Sequence, residues 1–157
     1  MKKTVLLVDD EPAVIDGLLR SLRKEPYRLL SARSAADAME IIRKEEIHVI
    51  VSDEEMPGMG GADLLAYVRQ NYPTIIRIML TGKASVTSAM KAIYDGWVYQ
   101  YLHKPCNAVD LASAIYNGLL LQSLQQDESP HVILSDQEQA ELLERVSMKS
   151  VAETTSS

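Results

Sequence analysis

The sequence VIVSDEEMPGMGG, residues 49–61, decides how this chain is organised. Four mostly apolar residues run into Asp53, Glu54 and Glu55, and a Met-Pro-Gly turn follows. A short apolar run that ends at turn-forming residues is typical of a buried β-strand. The three acids admit two interpretations, because they are either a solvated loop or a reactive group placed at the end of a strand.

Short runs rich in Val, Ile and Leu also occur elsewhere, and they predict strands at residues 4–8, 27–31, 47–52, 75–80 and 99–102. Each run is followed by a segment with the apolar period of a helix. Strands that alternate with helices form a parallel sheet covered on both faces. The sequence therefore predicts an α/β fold with a doubly wound, five-stranded parallel sheet, whose ligand site lies beyond the carboxyl ends of the strands.

Capping residues and proline delimit the predicted helices. Pro26 is expected to end the first helix, whose apolar residues share one face. Ser34, with an acid three residues later, predicts the start of the second helix, and Asn107 predicts the start of the fifth in the same way. The third and fourth helices are expected at residues 62–70 and 85–95.

Polar residues stand at the ends of the first, third, fourth and fifth predicted strands. They are three carboxylates, one hydroxyl and one ammonium: Asp9, Asp10, Asp53, Thr81 and Lys104. Three carboxylates a few ångströms apart repel one another by several kcal/mol per pair, on the order expected at an effective dielectric near 20. A hard divalent cation with oxygen ligands, Mg²⁺ above all, is therefore expected among them.

This set of groups predicts chemistry on a phosphoryl group. An aspartate beside a cation, a lysine and a hydroxyl is arranged as a nucleophile whose product is an aspartyl phosphate. Any one of these residues alone is more simply a helix-capping acid or a surface lysine. Their occurrence together at the matching ends of four of the five predicted strands favours the reactive interpretation.

The segments VDDEP, DEEMPGMGG, MLTG and YLHKP, in this order and spacing, resemble the receiver domain of two-component response regulators. The resemblance covers residues 3–124. It implies a flavodoxin-like receiver fold with strand order 2-1-3-4-5, and a signalling receiver that is not an enzyme. It also implies that Asp53 accepts a phosphoryl group from a sensor histidine kinase or a phosphotransfer protein.

The resemblance further implies a metal site. Asp10 and Asp53 match the direct Mg²⁺ ligands of the family, Glu55 would supply its main-chain carbonyl, and Asp9 would act through a water molecule. No role is assigned to Glu54, whose side chain is expected to be solvated.

The switch residues of the family are matched by Thr81 and Tyr101, and Lys104-Pro105 resembles its lysine followed by a cis proline. Phosphorylation is expected to draw Thr81 toward the phosphoryl group and to let Tyr101 rotate. The surface of the fourth helix, the fifth strand and the fifth helix would then change by a population shift.

Glu55 and Lys83 flank the phosphoacceptor and are candidates for tuning dephosphorylation. As opposite charges they could pair over the phosphoryl group and slow the attack of water. The alternative, two solvated side chains, stays open on the sequence alone.

One departure from the common receiver pattern is the spacing from Gly96 to Lys104, which is eight positions instead of seven. This longer form resembles receivers joined to HD-GYP phosphodiesterase domains. Trp97 and Tyr99 lie in this segment, and either partner contact or structural packing accounts for them.

Composition limits the other functions. Residues 1–126 carry 15 acids and 14 bases, whereas residues 127–157 carry 7 acids and 2 bases. A near-neutral body with an acidic tail has no basic stripe for nucleic acid, so direct nucleic-acid binding is not expected. Cys106 is the only cysteine, and the apolar run at the start is too short for a signal peptide or a membrane span. We expect a cytoplasmic protein without a membrane segment.

The predicted domain organisation is a receiver at residues 1–126, a linker at 127–134, a short amphipathic helix at 135–149 and a disordered tail at 150–157. A helix of this length is marginal alone. Its apolar side is therefore expected to pack on the receiver, on a second copy in a homodimer, or on an output domain.

Two other functions compete with the phosphoacceptor interpretation. An aspartyl-phosphate phosphatase of the haloacid-dehalogenase type would carry Asp-x-Asp-x-Thr after the first strand, where this chain has Asp9-Asp10-Glu11-Pro12. A degenerate receiver that serves only as a binding module would lack one of the five groups, and all five are present.

Overall fold

The computed structural model of the chain describes residues 2–82 and 98–126, together with residues 137, 140, 141, 144 and 145. The fourth helix predicted at residues 85–95 lies outside the described residues, as do the linker and the predicted tail at 150–157. These last five residues have helical backbone, and Gln137 donates a hydrogen bond of 3.4 Å to Glu141 one turn later.

Five strands and four helices alternate along the described residues. They are β1 Thr4–Val8, α1 Pro12–Leu22, β2 Arg28–Ala32, α2 Ala35–Lys44, β3 Val49–Asp53, α3 Gly61–Asn71, β4 Ile76–Thr81, β5 Gln100–His103 and α4 Ala108–Gln126. The strands form one sheet in the order β2-β1-β3-β4-β5, and every pairing is parallel. The predicted doubly wound sheet of order 2-1-3-4-5 is confirmed.

The central strands are buried on both faces, which explains why their sequences are continuous apolar runs. Alternate residues of β1 point to opposite sides of the sheet. Leu6 belongs to the core that includes Leu64 of α3, whereas Leu7 belongs to the core that includes Leu111 of α4. Each such fully buried side chain contributes about 2 kcal/mol to folding.

Most strands end one residue later than the sequence predicts. Asp53 is the last residue of β3 because it still pairs with Leu80, and Thr81 is the last residue of β4 because it pairs with His103. Hydrogen bonding to a neighbouring strand continues where the side chains have already become polar. The reactive side chains are therefore held on regular strand backbone.

The helix boundaries follow the predicted caps, with one correction. Ser34 Oγ accepts a hydrogen bond of 3.1 Å from the main-chain N–H of Asp37, and Asn107 Oδ1 accepts one of 2.8 Å from that of Asp110. Pro26 does not end α1, because the helix already ends at Leu22. The N–H of Glu25 closes the following turn with a 3.0 Å hydrogen bond to the carbonyl of Leu22. Among the described residues no helix is both long and apolar enough to cross a membrane.

The turn after β3 requires glycine at two positions. Gly58 has a φ of 78°, a left-handed conformation that favours glycine. A Cβ on Gly61 would clash with the main-chain carbonyl of Asp53, whose carbon would lie 2.9 Å away. The start of α3 is thereby packed directly against the backbone of Asp53.

Candidate functional site

Four strand ends bring the predicted site residues to one edge of the sheet. Asp9 follows β1, Asp53 and Thr81 end β3 and β4, and Lys104 follows β5. Parallel pairing places these ends side by side, since Val8 pairs with Ser52 and the next strands continue in register. The convergence expected from the sequence is what the fold produces.

The acidic part of the site is a cluster of Asp9, Asp10 and Asp53. Each offers a carboxylate oxygen, and these oxygens all lie within 4.8 Å of one another. Asp9 is 1% exposed and Asp53 is 5% exposed, so water screens their charges poorly. Asp10 is half-buried.

Lys104 places a positive charge between two of these acids. Its Nζ lies 3.1 Å from Asp9 Oδ2 and 3.2 Å from Asp53 Oδ1. Its main-chain N–H donates a 2.8 Å hydrogen bond to the carbonyl of Thr81, and the Lys104-Pro105 peptide bond is cis, as the resemblance implies. Partial burial lowers the pKa of Lys104, but the bonds to Asp9 and Asp53 outweigh it, so the net pKa is raised.

Asp53 is short of positive charge even with this lysine beside it. Burial raises the pKa of Asp53, and the negative charge of Asp9 adds to that increase, while the hydrogen bond from Lys104 opposes it. A carboxylate in this state gains from a further cation. The donor set of three carboxylates therefore fits a hard divalent ion such as Mg²⁺.

Main-chain N–H groups orient the two buried acids. Asp9 Oδ1 accepts a 3.0 Å hydrogen bond from the N–H of Glu11, and Asp53 Oδ1 accepts a longer one of 3.4 Å from the N–H of Glu55. The hydroxyl of Ser52 donates a 3.0 Å hydrogen bond to the carbonyl of Asp53. Side chain and backbone of Asp53 are thus both held.

Glu54 is not the solvated side chain that the sequence predicts. The hydroxyl of Thr81 donates a hydrogen bond to Glu54 Oε2, although Thr81 itself is fully buried. Burial raises the pKa of Tyr101, and the charge of Glu54 raises it further. The prediction is wrong because the backbone of Glu54 is tied to β4, which directs its side chain toward the switch residues.

The two residues predicted to tune dephosphorylation are only partly described. The side chain of Glu55 is exposed beside Asp53, as a gate over the site requires. Lys83 lies outside the described residues, so their pairing stays a prediction.

A doubly wound α/β domain with a buried acidic cluster and a lysine at its carboxyl edge has the architecture of a signalling receiver domain. The sequence matches the response regulator receiver domain family over residues 5–116. The chain therefore belongs to the response regulator receiver domain family.

Individual relatives agree with this assignment. The hydrogenase transcriptional regulatory protein HoxA of Cupriavidus necator is 34% identical over 124 residues, which is 79% of this chain and 26% of HoxA. This chain thus spans about a quarter of the length of that relative.

Solved structures give the same result. The signal receiver domain of an HD domain-containing protein from Pseudomonas fluorescens Pf-5 superposes with a TM-score of 0.72 at 34% identity, covering 78% of this chain and 98% of that one. A CheY-like receiver domain protein from Methanospirillum hungatei JF-1 gives a TM-score of 0.73 at 29% identity, covering 80% and 99%.

Proposed function

We propose that Asp53 is the phosphoacceptor of a two-component phosphorelay and takes its phosphoryl group from a sensor histidine kinase or a phosphotransfer protein. The observation that carries this proposal is the position of Lys104 Nζ, 3.1 Å from Asp9 and 3.2 Å from Asp53. A lysine and buried acids gathered around one carboxylate at a sheet edge suit a site prepared for additional negative charge.

In the transfer step a carboxylate oxygen of Asp53 attacks the phosphorus of a phosphohistidine. The new O–P bond forms as the P–N bond breaks, and the imidazole leaves with the electron pair and takes a proton. Because Lys104 and the N–H of Glu55 both hold Oδ1, we assign the attack to Oδ2. Lys104 then stabilises the charge on the transferring oxygens, and Thr81 donates its hydroxyl proton in a hydrogen bond to one of them.

Mg²⁺ is the cofactor that this donor set fits. Asp10 and Asp53 would bind it directly, with the main-chain carbonyl of Glu55, and Asp9 would act through a water molecule. When bound, the ion supplies positive charge that neutralises the phosphoryl oxygens. The raised pKa of Asp53 supports a requirement for such a charge.

Phosphorylation would be read out through Thr81 and Tyr101. Tyr101 is 6% exposed and lies on β5, next to the strand that ends at Thr81. Movement of Thr81 toward a phosphoryl group changes the space available to the Tyr101 ring. The face that would respond consists of the helix predicted at residues 85–95, strand β5, and α4, which corresponds to the fifth helix predicted from the sequence.

The lifetime of the phosphoryl group would be set by residues at the mouth of the site. Glu55 is exposed there, and Lys83 is its proposed partner. A charge pair across the phosphoryl group would slow the approach of water. Replacing Glu55 by Asn together with Lys83 by Ala would then speed dephosphorylation, and an unchanged rate would refute the tuning role.

The output and its partners are proposed from the relatives. HoxA is a transcriptional regulator, whereas the Pseudomonas fluorescens receiver belongs to an HD domain-containing protein. Three arrangements fit a receiver at residues 1–126. They are attachment of an HD-GYP output domain, formation of a homodimer, and packing of the helix predicted at residues 135–149. We place the chain in the cytoplasm, because a receiver must meet the cytoplasmic kinase domain that phosphorylates it.

We favour signalling over catalysis or passive binding. The five groups that phosphoryl acceptance needs are all present, which a degenerate binding module would not require. The sequence after β1 lacks the second aspartate of an aspartyl-phosphate phosphatase at the required spacing. The chain would therefore perform only its own phosphorylation and dephosphorylation.

Incubation with acetyl phosphate and Mg²⁺, followed by intact mass measurement, tests this function. The proposal predicts a gain of one phosphoryl group in the wild-type chain and none in Asp53→Asn. No gain in the wild type, or an equal gain in the variant, would refute it.

A further inference from the structure

The backbone of Glu54 is fixed on both sides of the residue. Its N–H donates a 2.8 Å hydrogen bond to the carbonyl of Leu80 on β4, and its carbonyl accepts one of 3.0 Å from the N–H of Gly61 at the start of α3. The main chain is therefore tied to a strand and a helix. Only the side-chain torsions of Glu54 remain free to change.

The carboxylate of Glu54 accepts the hydrogen bond of the same hydroxyl that the proposed transfer step uses. Thr81 Oγ1 donates to Glu54 Oε2. A threonine hydroxyl has one proton, so it cannot donate to Glu54 and to a phosphoryl oxygen at the same time. Glu54 and a phosphoryl group on Asp53 are thus competitors for Thr81.

The negative charge of Glu54 also reaches the second switch residue. Burial is the largest cause that raises the pKa of Tyr101, and the negative charge of Glu54 is the second. Tyr101 is buried, whereas Glu54 is only half-buried and has a path to solvent. Rotation of the Glu54 side chain would release Thr81 and alter the surroundings of Tyr101 together.

We propose that Glu54 is a positioning residue that holds Thr81 in its unphosphorylated orientation and so opposes the phosphorylated state. This inference rests on the proposed function of Asp53. A phosphoryl group adds close to two negative charges and three strong acceptor oxygens. It repels the Glu54 carboxylate and takes over the Thr81 hydroxyl, which makes loss of the Glu54–Thr81 bond part of activation.

The affinity for a phosphoryl mimic measures this competition directly. Beryllofluoride is titrated into the protein in the presence of Mg²⁺, and binding is monitored by amide NMR shifts. The titration gives an apparent Kd for the wild type and for Glu54→Gln. The glutamine keeps the shape but replaces a charge-assisted hydrogen bond by a weaker neutral one. We expect the variant to bind the mimic about three- to tenfold more tightly.

A double-mutant cycle separates the proposed contact from general charge repulsion. In a Thr81→Ala background the competition no longer exists, so Glu54→Gln should change the Kd by less than about twofold. Asp63→Asn is the matched control, since it removes one exposed acid from the first turn of α3. Its Kd should stay within about twofold of the wild type.

The outcomes distinguish this inference from the function on which it rests. No binding of beryllofluoride to the wild type in the presence of Mg²⁺ would overturn both. Wild-type binding with no tightening in Glu54→Gln would overturn the positioning role alone. Equal tightening in the Thr81→Ala background, or in Asp63→Asn, would also overturn it, because the effect would then come from net charge.

Discussion

The ammonium nitrogen of Lys104 lies 3.2 Å from Oδ1 of Asp53, although β4 separates the strands to which the two residues are joined. The contact exists because the main-chain N–H of Lys104 is bonded to the carbonyl of Thr81, which draws the residue over the end of β4. The side chain then reaches across to β3. A phosphoryl group on Asp53 would form within reach of this ammonium.

Replacing Lys104 by Ala should slow phosphorylation by acetyl phosphate by about 100- to 1,000-fold, the usual effect of removing one stabilising group from a transition state. Intact mass at timed intervals measures the rate. Lys24→Ala is the matched control, because Lys24 is exposed beyond α1. A Lys104→Ala rate within about threefold of the wild type would contradict the role given to the lysine.

Asp53→Asn should raise the melting temperature in metal-free buffer. Burial is the main cause that raises the pKa of Asp53, and the charge of Asp9 adds to it, so the ionised carboxylate is destabilising without a metal even though Lys104 lies beside it. Mg²⁺ should stabilise the wild type and have a much smaller effect on the variant. Thermal unfolding in EDTA and in saturating Mg²⁺ measures both, and an equal Mg²⁺ effect in the two proteins would argue against a metal site at Asp53.

Gly61→Ala should destabilise the domain by about 2 kcal/mol or more, because its Cβ would meet the main-chain carbonyl of Asp53. Gly17→Ala is the opposite control. Gly17 lies inside α1, and a Cβ added there would have open space for 4 Å around it, so the change should stabilise by about 0.5–1 kcal/mol. Urea unfolding measures both, and two shifts of the same sign would contradict the close packing of Gly61 on Asp53.

His48 should make folding stability depend on pH. Its Nδ1 accepts a 2.9 Å hydrogen bond from the N–H of Thr4, and burial, followed by the charge of Lys3, lowers its pKa. The native state therefore favours the neutral ring. This contribution is complete above the unfolded pKa of about 6.5 and is lost as the pH falls through the lower folded value.

Urea unfolding at about pH 7.5 and pH 5.5 checks this, with the window chosen around the unfolded histidine pKa. The wild type should lose more stability on acidification than His48→Gln, whose side chain does not titrate. An equal loss in both would show that other groups, Asp53 among them, account for the pH dependence.

The residues that end strands could be predicted from sequence because the chemistry of each position is local. An apolar run followed by Asp53 or Lys104 identifies a strand and its end, and parallel topology then brings the ends together. The cis bond at Pro105 could be expected from the resemblance alone.

The contact between Glu54 and Thr81 could not be predicted in this way. In sequence Glu54 is one of two adjacent glutamates, and main-chain hydrogen bonds to Leu80 and Gly61, which are distant in sequence or lie beyond the turn, distinguish it from exposed Glu55. The need for glycine at position 61 could not be predicted from the sequence for a similar reason. Its neighbour in space is the backbone of Asp53, which no side-chain pattern records.

The most direct test of Asp53 as the phosphoacceptor is to locate the phosphoryl group after reaction with acetyl phosphate and Mg²⁺. Borohydride reduction converts an aspartyl phosphate to homoserine, and tandem mass spectrometry of the peptide carrying residues 49–61 then identifies the position. We predict homoserine at Asp53 in the wild type and no conversion when Mg²⁺ is chelated. Conversion at Asp9 or Asp10, or a phosphoryl group on another residue, would contradict this assignment.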